Sequence, residues 1–263
     1  MILESTSPVG TTECLAARLR SARPDLRRLH VAHCPERVLP GRILQELVDN
    51  DRIVGGADSD ATRAAVAFYE RFVTGDILPT DARTAEMCKL AENSFRDVNI
   101  AFANELSVLC DRFGIDVWTL IRLANHHPRV KILAPGPGVG GHCIAVDPWF
   151  LVSAAPAHAR LIRAAREVND AKPDWVLAKV REAASGRDQP VIGCLGLAFK
   201  PDIDDLRESP ALAIVRRLRD ERIGRLLICE PHLECSAEWD LRPLDEVLSG
   251  ADILLALVAH RAF

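Results

Sequence analysis

Two blocks in which strand-like and helix-like segments alternate, separated by a long helical stretch, constrain this chain more than any other feature. In residues 1–80, the short apolar runs ILES (2–5), LHVAHC (29–34) and RIVGG (52–56) have strand character, while 11–22 and 62–72 carry helical patterns. Residues 188–263 repeat the alternation, with VIGCLGLAF, RLLICE and DILLALV as strands and PALAIVRRLRDE as a helix that stops at Gly224. Strands joined through helices pair in parallel, because each crossover returns the chain to the same end of the sheet, and helices then cover both faces. The expected fold class is therefore α/β: a partial Rossmann-like sheet, a central helical domain and a C-terminal Rossmann-like unit. A strand that opens at residue 2 with no neighbour ahead of it makes the first sheet read as incomplete.

The middle segment, about 82–185, is helical. Thr84 is placed to cap a long helix that ends at Gly114. Within it Phe102, Leu106, Leu109 and Phe113 recur at steps of four, three and four, which makes one apolar stripe. Asp116 caps the next helix, which ends before His127-Pro128, and helix resumes over about 157–184 after the Gly/Pro loop APGPGVGGH (134–142). A long helix with a broad apolar face serves either packing within one subunit or dimerisation. The expected domain limits are 1–80, 81–187 and 188–263.

Composition removes several classes of function. Thirty-three basic and thirty-seven acidic residues give a net charge of −4, which offers no strong attraction to nucleic acid or to an anionic membrane. The most apolar run, Ile253 to Ala259, is far shorter than the ~20 residues that cross a bilayer. No basic stretch followed by an apolar one opens the sequence, so no signal peptide is expected. The eight cysteines contain no Cys-x-x-Cys pair, which argues against zinc ribbons and redox dithiols and fits a reducing cytoplasm. No metal is expected.

Chemistry concentrates in a few short segments. Gly136-Pro137-Gly138-Val139-Gly140-Gly141 formally satisfies G-x-G-x-x-G, but helices rather than a strand precede it. Arg160-Leu161-Ile162 also stands where the ribose carboxylate belongs, so the dinucleotide reading fails. The glycines instead let backbone approach a ligand closely. His142, Cys143 and Asp147 follow at once. Packing is the commoner role of a cysteine, but one at the exit of a glycine-rich loop with a carboxylate nearby suits a nucleophile. A thiolate there can add to an aldehyde as a thiohemiacetal, whose oxidation leaves a thioester for water to cleave.

Lys89, Asn93 and Arg96, at i, i+4 and i+7, share one helix face. They form either a solvated stripe or an ammonium and amide that stabilise an oxyanion. Glu36 and Arg37, directly after a strand, are a possible base and a phosphate or sugar ligand, or ordinary loop charges. In the charge-dense run from Phe199 to Pro210, Ser209 is placed to cap the helix that begins with Pro210.

ESTSPVG (4–10), CPERVLPG (34–41), AEMCKLAENSFRDVNIAFANE (85–105), PGPGVGGHCIAVDP (135–148) and GLAFKPDIDDLRESP (196–210) together resemble the UDP-glucose/GDP-mannose dehydrogenase family. HHPRV, GGHCIAVDPWF and ARLIRAAREVND are most similar to its branch that acts on UDP-N-acetyl-D-mannosamine. The resemblance implies oxidation of the C6 alcohol of a UDP-sugar to a carboxylate with two NAD⁺, through a covalent cysteine intermediate, in a homodimer. It makes Cys143 the nucleophile, Lys89 the proton donor and acceptor, and Asn93 its partner at the oxyanion. Asp147 becomes the carboxylate near lysine and water, and Glu36 the residue of thioester hydrolysis. Arg37, Val38, Arg96, His127, Arg129, Gly140, Phe199 and Lys200 fall where the family binds substrate, with Arg129 reaching across the dimer. Thr6 and Arg207 match NAD contacts.

The resemblance also implies a truncated chain. Met1 stands almost at the strand of ESTSPVG, so the family's glycine fingerprint and ribose carboxylate fall outside this sequence, and the C-terminal domain stops early. Residues 1–80 then read as the C-terminal part of an NAD-binding domain, 81–187 as the central dimerisation and catalytic domain, and 188–263 as a shortened UDP-sugar domain. NAD affinity and turnover are expected to be severely reduced in this chain alone. An inactive fragment, a dimerising or UDP-sugar-binding remnant, and a dehydrogenase for another UDP-sugar are the rival readings.

Overall fold

Each alternating block builds its own sheet. The computed structural model describes residues 1–26, 28–38 and 41–263, so Leu39 and Pro40 of CPERVLPG lie outside the described residues. The chain packs as two units, one of Met1–Ser94 with Asp147–His158, the other of Phe95–Val146 with Ala159–Phe263.

In the first unit the sheet order is β1 (Ile2–Leu3), β2 (Ala32–His33), β3 (Arg52–Gly56) and β4 (Ile77–Asp81). β1–β2 and β3–β4 are parallel, but β2 meets β3 antiparallel, so the all-parallel sheet expected from the alternation is mixed. The connection from β2 to β3 carries only the seven-residue α2 (Ile43–Asp49) and returns without crossing the sheet. β1 and β2 are also shorter than their apolar runs. α1 (Thr11–Ala22) matches its pattern. α3 (Ser59–Tyr69) starts earlier than its apolar residues suggest, because Asp58 caps it by accepting from the Ala61 amide at 2.8 Å. Ala65 and Tyr69 of α3 close a small core over Ala32, Cys34 and Val54.

α4 (Ala82–Phe113) contributes to both units. It begins two residues before Thr84, and the cap is Asp81, whose carboxylate accepts from the Thr84 amide at 2.9 Å and its hydroxyl at 2.7 Å. Gly114, at φ 66°, ends the helix as expected.

In the second unit Asp116 caps α5 (Val117–Ala124) through the amides of Trp118 and Thr119. α6 (Asp147–Ala154), which belongs to the first unit, was not evident from periodicity; α7 (Arg160–Ala184) follows. The second sheet is fully parallel, in the order β6 (Arg225–Cys229), β5 (Val191–Leu195), β7 (Ile253–Ala256), with α8 (Pro210–Asp220) and α9 (Leu244–Gly250) between strands. Its core joins Ile192, Cys194 and Ile228 to Ile214, Val215 and Leu218 of α8 and to Leu177 and Val180 of α7.

Ser209 caps α8, accepting from the Leu212 amide at 3.2 Å while its hydroxyl donates to the Leu197 carbonyl at 2.7 Å. Gly224 is not the residue that turns the chain after α8: Arg222 takes the left-handed conformation, at φ 53°. Gly224 is small for another reason, since a Cβ there would lie 2.2 Å from the Pro190 carbonyl oxygen. Among the described residues no helix is long and apolar enough to cross a membrane.

Candidate active site

The first unit gathers seven of the candidate residues. On α4, Lys89 and Asn93 are half-buried one turn apart, and the Asn93 amide donates to Asp147 Oδ2 at 2.5 Å. Asp147 is the first residue of α6 and is 4% exposed. A carboxylate this buried, at a helix start, is steadied by the Asn93 donor. Glu36 folds back on its own loop, one oxygen accepting from the amides of Arg37 (2.6 Å) and Val38 (2.8 Å), the other 3.9 Å from Arg52. Arg37 pairs with Glu92 at 3.1 Å. Beneath this loop the Tyr69 hydroxyl donates to Glu4 at 2.7 Å, and burial pushes the Cys34 thiol up, which leaves it a packing residue. Thr6 is half-buried in the loop after β1.

The second unit holds the other group. The loop 134–142 lies against the segment after β5: a Cβ on Gly140 would sit 2.5 Å from the Glu208 carbonyl, and one on Gly141 3.0 Å from the Phe199 ring. The chain neighbour whose approach requires these glycines is thus protein, Phe199 and Glu208–Pro210, where a ligand was expected. The loop presents Cys143 exposed, its Sγ 3.2 Å from His142 Nδ1.

Arg207, also exposed, grips Asp205 through a two-pronged pair and senses the charge of Cys143; the Asp205 carboxyl is held at about 2, chiefly by this arginine. Lys200 lies 5.6 Å from the Phe199 ring centre. His127 and Arg129 are exposed after α5, where His127 Nδ1 accepts from the Arg129 amide at 3.3 Å, and Arg96 is exposed on α4.

A dinucleotide needs open backbone amides for its diphosphate. At the start of α1, where a strand leads into a helix, Gly10 N donates to Glu86 at 2.5 Å, and Thr12 N and Oγ1 each donate to Glu86 at 2.7 Å. A buried protein carboxylate thus fills the place of an anion, and this helix start does not fit a diphosphate.

Asp202, His232 and His260 bring ligand-type atoms within 4.8 Å of one another. His260 is already engaged at both nitrogens, Nδ1 accepting from the Asp202 amide at 2.9 Å and Nε2 facing Glu230 at 3.2 Å. His232 Nε2 stands 3.6 Å from Asp202, and its backbone amide donates to Glu230 at 3.1 Å, so Glu230 ties both histidines together.

Sequence reasoning missed a buried polar network between α4 and α7. Arg166 and Asp97 pair at 2.6 Å, at 1% and 0% side-chain exposure, and burial pushes the Asp97 carboxyl up. Asn169 donates to Asp97 and accepts from Asn104, whose other amide atom accepts from Gly136 N at 2.8 Å. The network therefore fixes the root of the loop that carries Cys143. The run of polar residues Arg166-Glu167-Val168-Asn169-Asp170, which brings Arg166 and Asn169 onto the buried face of α7, was its signal.

Residues 1–73, 83–171 and 193–263 match, in that order, the NAD-binding, central and UDP-binding domain models of the UDP-glucose/GDP-mannose dehydrogenase family. The chain is 59% identical to the NDP-N-acetyl-D-galactosaminuronic acid dehydrogenase of Ralstonia solanacearum, covering all of itself and 65% of that protein. It is 54% identical to the UDP-N-acetyl-D-mannosamine dehydrogenase of Campylobacter jejuni, covering 69% of it. Among solved structures, the UDP-D-ManNAc dehydrogenase of Pyrococcus horikoshii superposes with a TM-score of 0.89 at 44% identity, over 99% of this chain and 63% of that one. The chain thus spans about two thirds of the length of the curated relatives it matches, and it belongs to the UDP-glucose/GDP-mannose dehydrogenase family.

Proposed function

We propose that the chain serves the NAD-dependent oxidation of the C6 alcohol of UDP-N-acetyl-D-mannosamine to UDP-N-acetyl-D-mannosaminuronate, through a thioester on Cys143. The observation that carries this reading is the exposed Cys143 beside His142, at the end of a loop seated on Phe199 and Glu208–Pro210. Cys143 adds to the C6 aldehyde. Lys89 moves the proton of the sugar oxygen, and Asn93, oriented by Asp147, donates to the oxyanion. Asp147 and Glu36 serve the water that cleaves the thioester. Arg37, Val38, Arg96, His127, Arg129, Gly140, Phe199 and Lys200 bind the UDP-sugar, and Thr6 and Arg207 contact NAD, which as bound oxidant takes up the hydrides.

Residues 1–80, 81–187 and 188–263 are the NAD-binding, central and UDP-sugar portions. The molecule works as a homodimer, and its eight cysteines, with no Cys-x-x-Cys pair among them, suit a reducing cytoplasm. A second reading, another UDP-N-acetylhexosamine as substrate, is favoured by the 59% identity to the Ralstonia relative. One hydroxyl's orientation separates such substrates, and pocket geometry decides it.

The test supplies the full-length protein with NAD⁺ and each UDP-sugar in turn and follows the acid by mass. Cys143→Ser is expected to lower acid formation by about a thousandfold or more. Unchanged acid formation in that variant excludes the covalent route. Acid from the galactosamine sugar alone moves the substrate to the second reading.

A further inference from the structure

The cysteines of this chain fall into two chemical classes. Cys34 and Cys194 are buried in apolar surroundings, and burial pushes the Cys194 thiol up to about 12. Such thiols stay protonated and inert. Cys143 is exposed and has a proton acceptor at contact distance, His142 Nδ1 at 3.2 Å from Sγ. Two further charged groups from the segment after β5 bear on the pair. Asp205 and His142 interact electrostatically, as do Arg207 and Cys143.

We propose that His142 takes the Cys143 proton and holds the sulfur as a thiolate, so that it is a further catalytic residue of the reaction; this rests on the reading of Cys143 as nucleophile. The step moves one proton from Sγ to Nδ1, with Nε2 already carrying its own, and leaves a thiolate beside an imidazolium with no change in total charge. Nothing is oxidised or reduced. The Asp205 carboxylate, kept ionised chiefly by the Arg207 fork, and the Arg207 guanidinium place one charge of each sign within electrostatic reach of the pair. The thiolate is the form of cysteine that adds to a carbonyl carbon. Lys89 is then left for the proton on the sugar oxygen, so the two proton transfers have separate carriers.

The experiment reads the sulfur itself. The full chain is alkylated with iodoacetamide across pH 5 to 10, and each cysteine is followed by peptide mass spectrometry, with the exposed Cys14 and Cys235 as internal standards. Cys143 is expected to inflect at least about one pH unit below those two, and His142→Ala to move it back toward them. Its alkylation at pH 7 then falls roughly tenfold, while Cys14 and Cys235 are unchanged. Either of two results overturns the proposal: the same inflection for Cys143 in both proteins, or coincidence with Cys14 and Cys235 in the unaltered one. The nucleophile reading fails separately, if Cys143→Ser leaves acid formation intact while the His142-dependent inflection persists.

Discussion

His33 stands fully buried in β2 with neither ring nitrogen hydrogen-bonded to the described residues. Burial lowers its pKa below the ordinary value, with Glu86 pulling weakly the other way. The unfolded chain therefore takes up a proton near pH 6.5 that the folded chain refuses. Stability from this group is fully present above that pH and is lost as pH falls, by at most about 1.4 kcal/mol per pH unit for one proton. Urea midpoints are expected to drop between pH 7.5 and pH 5.5, and His33→Leu to show a flatter dependence; equal slopes in both proteins would remove His33 as the cause. At the next residue, burial leaves Cys34 a packing thiol. The residue-level arrangement was legible where it was local: the loop exit singled out Cys143, which stands exposed beside His142. It was illegible where it depended on surroundings, since nothing in HVAHC says that His33 lacks a partner.

At the scale of elements the same division holds. The caps of α5 and α8 could be read from Asp116 and Ser209, because a cap acts within three residues. The antiparallel step from β2 to β3 could not, because two-residue strands leave almost no pattern. The Asp97–Arg166 pair joins α4 to α7 over a sequence separation of 69 and left only a density of polar residues as its trace. Its energetics separate the removal of one charge from the removal of both. Arg166→Met strands the Asp97 carboxylate in the interior and is expected to cost about 3–5 kcal/mol by urea denaturation. Adding Asp97→Asn removes the charge yet keeps an oxygen for Asn169, so the double variant is expected to regain at least about half of that loss. Costs that merely add would show that the two groups do not interact. Because Asn104 ties the network to Gly136, the single variant should also loosen the loop of Cys143.

For the whole molecule, the decisive surface is the one α4 leaves uncovered. Phe95, Phe102, Leu109 and Phe113 are 73%, 54%, 41% and 67% exposed. The first three recur every seven residues, so they stack on one face, and Phe113 adds a fourth member one turn beyond Leu109. Opposite them Ala103, Asn104, Ser107 and Cys110 are buried, so the helix is saturated on one side and apolar on the other. On the homodimer proposed above, this apolar stripe along a helix of 32 residues is the surface expected to be covered. Its own symmetry suits a second copy: around a two-fold axis at Phe102, Phe95 of one chain meets Leu109 of the other, and Phe102 meets itself. Isologous contacts of this kind close at two subunits and grow no further. Sedimentation is therefore expected to give twice the 28.9 kDa chain mass, with a melting temperature that rises with protein concentration. Phe102→Glu places two like charges against each other at the axis and should yield a monomer with unchanged helix content by circular dichroism. A monomeric unaltered protein would overturn the dimer, and a Phe102→Glu variant that still sediments as a dimer would place the interface elsewhere.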